Sequence, residues 1–217
     1  MAISYVLTDT GTLGGASLTF SITGIQAGDI TFLDFSCSNN RTITDYDGWT
    51  EIYNVENTGD PDYQSRAFLL YKIATTTSIS VSISFDTTAY GTYRSVTFRG
   101  STDFDVSSNN VNTDASSFTA TTIAGILPTE VVVGFFNIYD ASSGPSTWGV
   151  PSGYTQVSSS YYQYTTGHYR GLMVAYKTSP SSSETPVATN ETVDGNTVYL
   201  VNINSGSTGG MFLGFSF

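Results

Sequence analysis

One cysteine, one histidine and seven lysines and arginines among 217 residues leave the chain short of the groups from which most active sites are built. Cys37 alone excludes a disulfide within the chain, and its place at the end of the apolar run ITFLDFSC predicts a buried, unreactive thiol. His168 alone excludes a histidine-rich zinc site and leaves at most one imidazole to activate a serine or a cysteine; a surface hydrogen-bonding role is expected of it. There is no GxSxG, no GxxxxGKS/T and no HExxH, so hydrolase, nucleotide-binding and metalloprotease readings have no anchor. No catalytic residue and no cofactor are assigned.

Basic residues are few and scattered singly against 18 acidic ones, for a net charge of −11. Without a basic stripe to neutralise phosphates, nucleic acid is excluded as a partner, and an anionic membrane surface would repel the chain. The acidity suits an exposed protein that must stay soluble. No window approaches the 18 or more apolar residues of a membrane span, so no membrane insertion is expected. MAISYVLTDTG has neither the basic start nor the apolar core of a signal peptide, from which synthesis in a cytoplasm is expected.

What the chain has in abundance is Ser and Thr, more than a quarter of it, with 15 Tyr and 13 Phe, while Leu, Glu and Lys are sparse. That composition favours strands over helices and predicts an all-β protein.

The chain also repeats itself. SLTFSITGIQAGDITFLDF (17–35) lies over FTATTIAGILPTEVVVGFF (118–136), with Gly24-Ile25 on Gly125-Ile126 and Phe35 on Phe136, an offset of 101. Further on the offset is 105: Gly48-Trp49-Thr50 falls on Gly153-Tyr154-Thr155, and FLLYK (68–72) on MVAYK (173–177). The difference belongs in the intervening loop, 36–47 in one copy and the longer 137–152 in the other, where insertions are absorbed. One module is written twice.

Within each copy the period is two. ISVSISF (79–85) and SLTFSI (17–22) alternate apolar and small polar residues, as strands with one wet face do, whereas EVVVGFF (130–136) reads as a central strand buried on both sides. Six or seven such strands per copy, parted by Gly, Asn, Asp and Ser turns, predict two tandem β-sandwich domains of jelly-roll or immunoglobulin-like type. The polar connection 101–117 places the boundary near Val106, giving an N-terminal sandwich with a short arm at 1–105 and a C-terminal sandwich at 106–217. Phe104 and Val106 are expected to pin this connection and hold the domains at a fixed angle.

Three features are candidates for contact. The tail sets Met211, Phe212, Leu213, Phe215 and Phe217 in seven positions, either as a terminal strand or as an arm that adds to a neighbouring subunit and assembles a homo-oligomer. Tyr161, Tyr162, Tyr164 and Tyr169, with Trp148 in the long second loop, offer aromatic faces for a protein partner or a host-surface glycan. The pairs Asp45/Asp47 and Asp60/Asp62 could present oxygens to Ca²⁺, but serve equally as turn formers.

Finally, QAGDITFLDFS, DGWTEIYN, FLLYKIATTTSISVSISF and YRSVTFRG follow one another in an order that resembles a β-sandwich module of tailed-bacteriophage virion proteins. Ala27-Gly28-Asp29, Gly48-Trp49-Thr50, Tyr71-Lys72-Ile73-Ala74, Tyr93-Arg94 and Arg99-Gly100 hold the motif positions. In the second copy Pro128-Thr129-Glu130 replaces the first motif, Tyr154 replaces the Trp, and the closing Arg-Gly is gone. The resemblance implies a non-enzymatic structural protein located in the virion, with capsid or tail proteins as partners. A short chain without a fibre shaft points to a capsid decoration or cement protein on the outside of the head. The alternative is a carbohydrate-binding adhesion protein associated with the tail or fibres.

Overall fold

The computed structural model describes residues 2–38, 41–57, 64–111, 115–141, 147–165, 168–193 and 195–205. Among these residues every regular element is a strand, as the composition predicts. The first module is built from β1 (Ser4–Thr23), β2 (Ile30–Ser38), β3 (Ile43–Asp45), β4 (Thr50–Asn57), β5 (Ser65–Ile73) and β6 (Ser78–Arg99). The second follows with β7 (Phe104–Val111), β8 (Ala115–Thr119), β9 (Ile123–Ala124), β10 (Val131–Ala141), β11 (Thr155–Thr165), β12 (His168–Thr178), β13 (Ser183–Glu184), β14 (Val187–Val193) and β15 (Gly195–Ile203).

The main sheets have the same plan. In the first the order is β1-β6-β2-β5-β4, and in the second β7-β15-β10-β12-β11, antiparallel throughout. Each strand of one is the repeat-partner of the strand in the same place of the other. The first sheet ends at Arg99 and the second begins at Phe104, so the chain passes between modules over residues 100–103, and the boundary read at 105/106 falls inside β7.

Each main sheet is covered on its outer side by a narrow ribbon. In the first module two long strands make both layers: β1 pairs with β6 from Ser4 to Gly15 in the main sheet, shifts register between Gly15 and Ser17, and pairs with it again from Ser17 to Thr23. A bulge of this kind bends a strand pair, and it carries the ribbon over the sheet to close the module. In the second module the same path is cut into β7 and β8–β9 on one side, β13–β14 and β15 on the other. The period of two now has its physical meaning: Leu18, Ile22, Ile79, Val81 and Ile83 face inward onto Leu33, Phe35, Phe68 and Leu70, while Ser17, Thr19, Ser21, Ser80 and Ser82 face water.

The matched turns use matched bonds. The Asp29 amide donates to the Gln26 carbonyl (3.0 Å) while its carboxylate accepts from the Gln26 amide (2.7 Å); Glu130 does the same with Leu127, at 3.0 and 2.9 Å. The Trp49 amide donates to the Tyr46 carbonyl and the Tyr154 amide to the Pro151 carbonyl. Gly48 and Gly153 precede these aromatics with φ of 71° and 79°, a conformation open to glycine at no steric cost. Lys72 lies over the Trp49 ring at 5.9 Å and Lys177 over the Tyr154 ring at 5.8 Å. The Gly-aromatic and Tyr-Lys motifs are therefore one cation-on-ring contact written in two places, and tyrosine at 154 preserves it.

Three apolar cores result. One fills each module between its ribbon and its sheet. The third lies between the two main sheets and draws on both modules: Ile30, Phe32, Leu69, Val96 and Phe98 from the first meet Val131, Val133, Phe135, Val174, Tyr199 and Val201 from the second. The modules are thus stacked sheet against sheet rather than joined by a linker. β2 and β10 are consequently buried on both faces, the expectation for EVVVGFF, and ITFLDFSCS shares it.

Candidate functional site

The seam between the modules is where the residues least expected of a core are gathered. Its contacts follow a quasi-two-fold axis running along the strands. Tyr5 of β1 stacks on Tyr176 of β12 at 5.5 Å, and its counterpart Phe104 of β7 meets Tyr71 of β5 edge-on at 4.9 Å. Tyr53 of β4 stacks on Tyr199 of β15 at 5.1 Å. The counterpart of that pair is Ser158 of β11 with Arg94 of β6, and there the guanidinium Nη1 donates to the serine hydroxyl. Phe32 meets Phe135 at 6.0 Å, and one pleat further along both strands Asn137 Nδ2 donates to Asp34 Oδ1 at 3.1 Å. β2 and β10 therefore run in the same direction, and corresponding turns of the two modules lie at the same end.

Along its length the seam changes character, from apolar at the start of β2 and β10 to polar further on. Thr92 and Ser160 share a hydrogen bond at 2.6 Å, Arg170 Nη2 donates to the Gln64 carbonyl at 3.3 Å, and the Tyr199 hydroxyl donates to the Ala67 carbonyl at 3.1 Å. Asp34, Arg94, Asn137 and Arg170 are all fully buried. Burial pushes the Asp34 carboxyl up to about 7, against the opposing pull of the Asn137 hydrogen bond and the Arg94 charge. Burial likewise pushes the Arg94 guanidinium down, to about 10, with Asp34 opposing. Buried ionisable groups of this kind were not legible in the sequence, because burial of a strand's second face depends on a distant sheet.

At the turn end, Arg99 grips Asp29 with two bonds, Nε to Oδ1 at 2.8 Å and Nη2 to Oδ2 at 2.7 Å. Burial alone would raise the Asp29 carboxyl; the hydrogen bonds from Arg99 and the Gln26 amide, with the Arg99 charge, outweigh it and hold the group below the usual range. Two motif residues 70 positions apart are thus a structural clamp. In the second module Asn202 Nδ2 donates to Glu130 Oε2 at 2.9 Å instead, an amide in place of the ion pair. The clamp forms one wall of an open cleft of about 360 Å³ lined also by Gln26, Gly28, Ser101 and Thr102.

The aromatic cluster does not form one surface. Trp148 is 5 % exposed and packs in the second module's own core, with Phe118 at 5.9 Å and Tyr161 at 6.2 Å. This corrects the reading of Trp148 as a contact platform: its ring is turned inward onto Phe118 and Tyr161, where burying a large aromatic side chain is favourable. Tyr161 and Tyr169 are half-buried against the same core, and the Tyr161 hydroxyl accepts from Asn190 Nδ2 at 2.8 Å. Tyr162, one position on, points the other way. Burial raises its hydroxyl, and the charge of Tyr90 of the first module acts in the same direction. Tyr90 is 43 % exposed and carries no distinguishing pattern in the sequence, where FDTTAYGTYR reads as an ordinary strand with two tyrosines. We expect Trp148→Ala to cost about 3–5 kcal/mol of stability, measured by urea unfolding, as a core truncation does.

The Tyr164 and His168 side chains, Asp60 and Asp62, and the apolar tail with Met211, Phe212, Leu213, Phe215 and Phe217 lie outside the described residues. Asp45 accepts the Asp47 amide at 3.0 Å in the turn role, and among the described residues no three His, Cys, Asp or Glu come together as metal ligands. Cys37 is buried, as expected, and burial pushes its thiol up to about 11, away from thiolate chemistry. No described helix is long and apolar enough to cross a membrane. Compared with protein-family models, curated proteins and solved structures, the chain matches none.

Proposed function

We propose that this chain is a non-enzymatic structural protein of a tailed-bacteriophage particle, a decoration or cement protein on the outside of the head that binds the shell through protein contacts. The observation that carries the reading is the seam. Two modules share a third core, and a buried Asn137–Asp34 hydrogen bond crosses it, so the chain is a stiff double-module block. Stiffness of that kind suits a part whose work is to stay in place. The motif residues behind the phage resemblance also have architectural tasks: Asp29 and Arg99 clamp a turn, and Lys72 covers Trp49. A net charge of −11 would be drawn to a basic protein surface.

The alternative is a carbohydrate-binding adhesion protein on the tail or fibres. Tyr90 and Tyr162 favour it, because they are partly exposed tyrosines, one from each module, within electrostatic reach of each other. Cryo-electron microscopy of the particles that carry the protein separates the two. Regular double-module density at local symmetry axes of the capsid is expected. Density at the tail alone, or none, would overturn the head assignment, and glycan binding lost in Tyr90→Ala would then establish adhesion.

A further inference from the structure

Asp34 and Asn137 meet across the seam with one hydrogen bond and two loose ends. Asn137 Nδ2 donates to Asp34 Oδ1, whereas Asp34 Oδ2 and Asn137 Oδ1 are both buried acceptors without a hydrogen-bond partner among the described residues. Two such acceptors on one hydrogen-bonded pair are costly, since each has given up water for nothing. A single proton on Asp34 Oδ2 would supply the missing donor and turn the contact into a two-point pair of carboxylic acid and amide.

The quasi-two-fold axis shows that the fold has no need of charge here. The counterpart of Asp34 in the second module is Phe135 and that of Arg94 is Tyr199, both fully buried in apolar or aromatic contacts of the same seam. An aromatic solution exists on one side of the axis, yet the other side holds a carboxyl and a guanidinium. Arg94 stands directly across from Asp34 on β6, but its Nε and Nη2 have no hydrogen-bond partner among the described residues, so it attracts the carboxyl without grasping it.

We propose that Asp34 takes up a proton inside the folded protein and that the resulting acid–amide pair with Asn137 is a proton-operated latch between the two modules. The other groups facing it hold their states over the range concerned. Arg94 from β6 stays charged, and Tyr139 from β10 and Tyr199 from β15 are driven by burial beyond the ordinary phenol range. Arg170 from β12 acts on the same cluster through Tyr139. With its carboxyl at about 7 when folded and 3.8 ordinarily, Asp34 binds more proton in the folded state between those values. Stability is therefore full below the lower value and is lost as pH rises toward 7. Asp29 and Glu184, both held below their ordinary carboxyl values, act in the opposite sense and only in more acidic solution. The latch is independent of where on a particle the chain sits.

The test is urea unfolding of the full chain from pH 4.5 to 8, in a His168→Gln background that removes the one histidine. The folding equilibrium constant is expected to fall between pH 5 and 7 with a slope approaching tenfold per pH unit, the value for one proton. Asp34→Asn, which carries a permanent donor in place of the proton, is expected to be flat across that window and more stable than the parent at pH 8. No slope in the parent, or the same slope in Asp34→Asn, overturns the latch. Should Asp34→Asn fail to fold, carbon-13 titration of the parent's aspartate carboxyls decides: a buried resonance with a midpoint near neutrality supports the proposal, and midpoints all below about 5 overturn it.

Discussion

Replacing Gly91 by alanine is expected to leave little folded protein, a loss above about 4 kcal/mol. Gly91 lies on β6, opposite Leu13 of β1 and Cys37 of β2, in the first sheet. A Cβ there would stand 1.9 Å from the Ser36 carbonyl oxygen and 2.9 Å from its carbon. Those are backbone atoms of the strand buried between two cores, so the clash cannot be relieved by turning a side chain. It can be relieved only by parting β6 from β2, which opens the module core and the seam together. Gly14 is the control, on the same sheet with nothing within 4 Å of its added Cβ. Gly14→Ala should match the parent or gain a few tenths of a kcal/mol. Urea unfolding of the two variants checks this, and a stably folded Gly91→Ala protein would refute the packing described for β2 and β6.

Phe32→Ala is expected to cost about 3–5 kcal/mol, as the emptying of an aromatic site in a closed core does. The residue belongs to the first module, yet its ring meets Phe104 at 5.3 Å and Phe135 at 6.0 Å, both in the second sheet. The loss should therefore be felt by both modules. Trp49 and Trp148, the only tryptophans, provide a reporter for each because one is buried in each module core. Phe32→Ala should lower the urea midpoint read by fluorescence in both the Trp49→Phe and the Trp148→Phe protein, each compared with the same single-tryptophan protein before the Phe32 change. A shift in the Trp49 signal alone would mean that the seam does not join the modules into one cooperative unit.

Both expectations rest on a division between what neighbouring residues can encode and what they cannot. The repeat was legible because turns carry local chemistry: Gly24 and Gly125, or Gly48 and Gly153, are required by backbone angles that a few residues settle among themselves. Strand faces were legible for the same reason, since alternation in ISVSISF is a property of one strand. The inward turn of Trp148 was not legible, because an aromatic residue in a Gly- and Ser-rich loop reads alike whether its ring folds back on a core or stands in water. Nor was the partner of Arg99 visible, for nothing in a sequence says that a carboxylate 70 residues away will lie beside it.

By itself, then, the sequence determined an all-β chain, two copies of one module and the turns that close them, all consequences of short-range sterics and of the two-residue strand period. Only the tertiary structure decided that the copies stack sheet on sheet, that Asp34 and Arg94 end up without water, and that Trp148 is a core residue. Burial of one strand's second face depends on which distant surface covers it, and that is settled by the packing of whole sheets rather than by any stretch of neighbours.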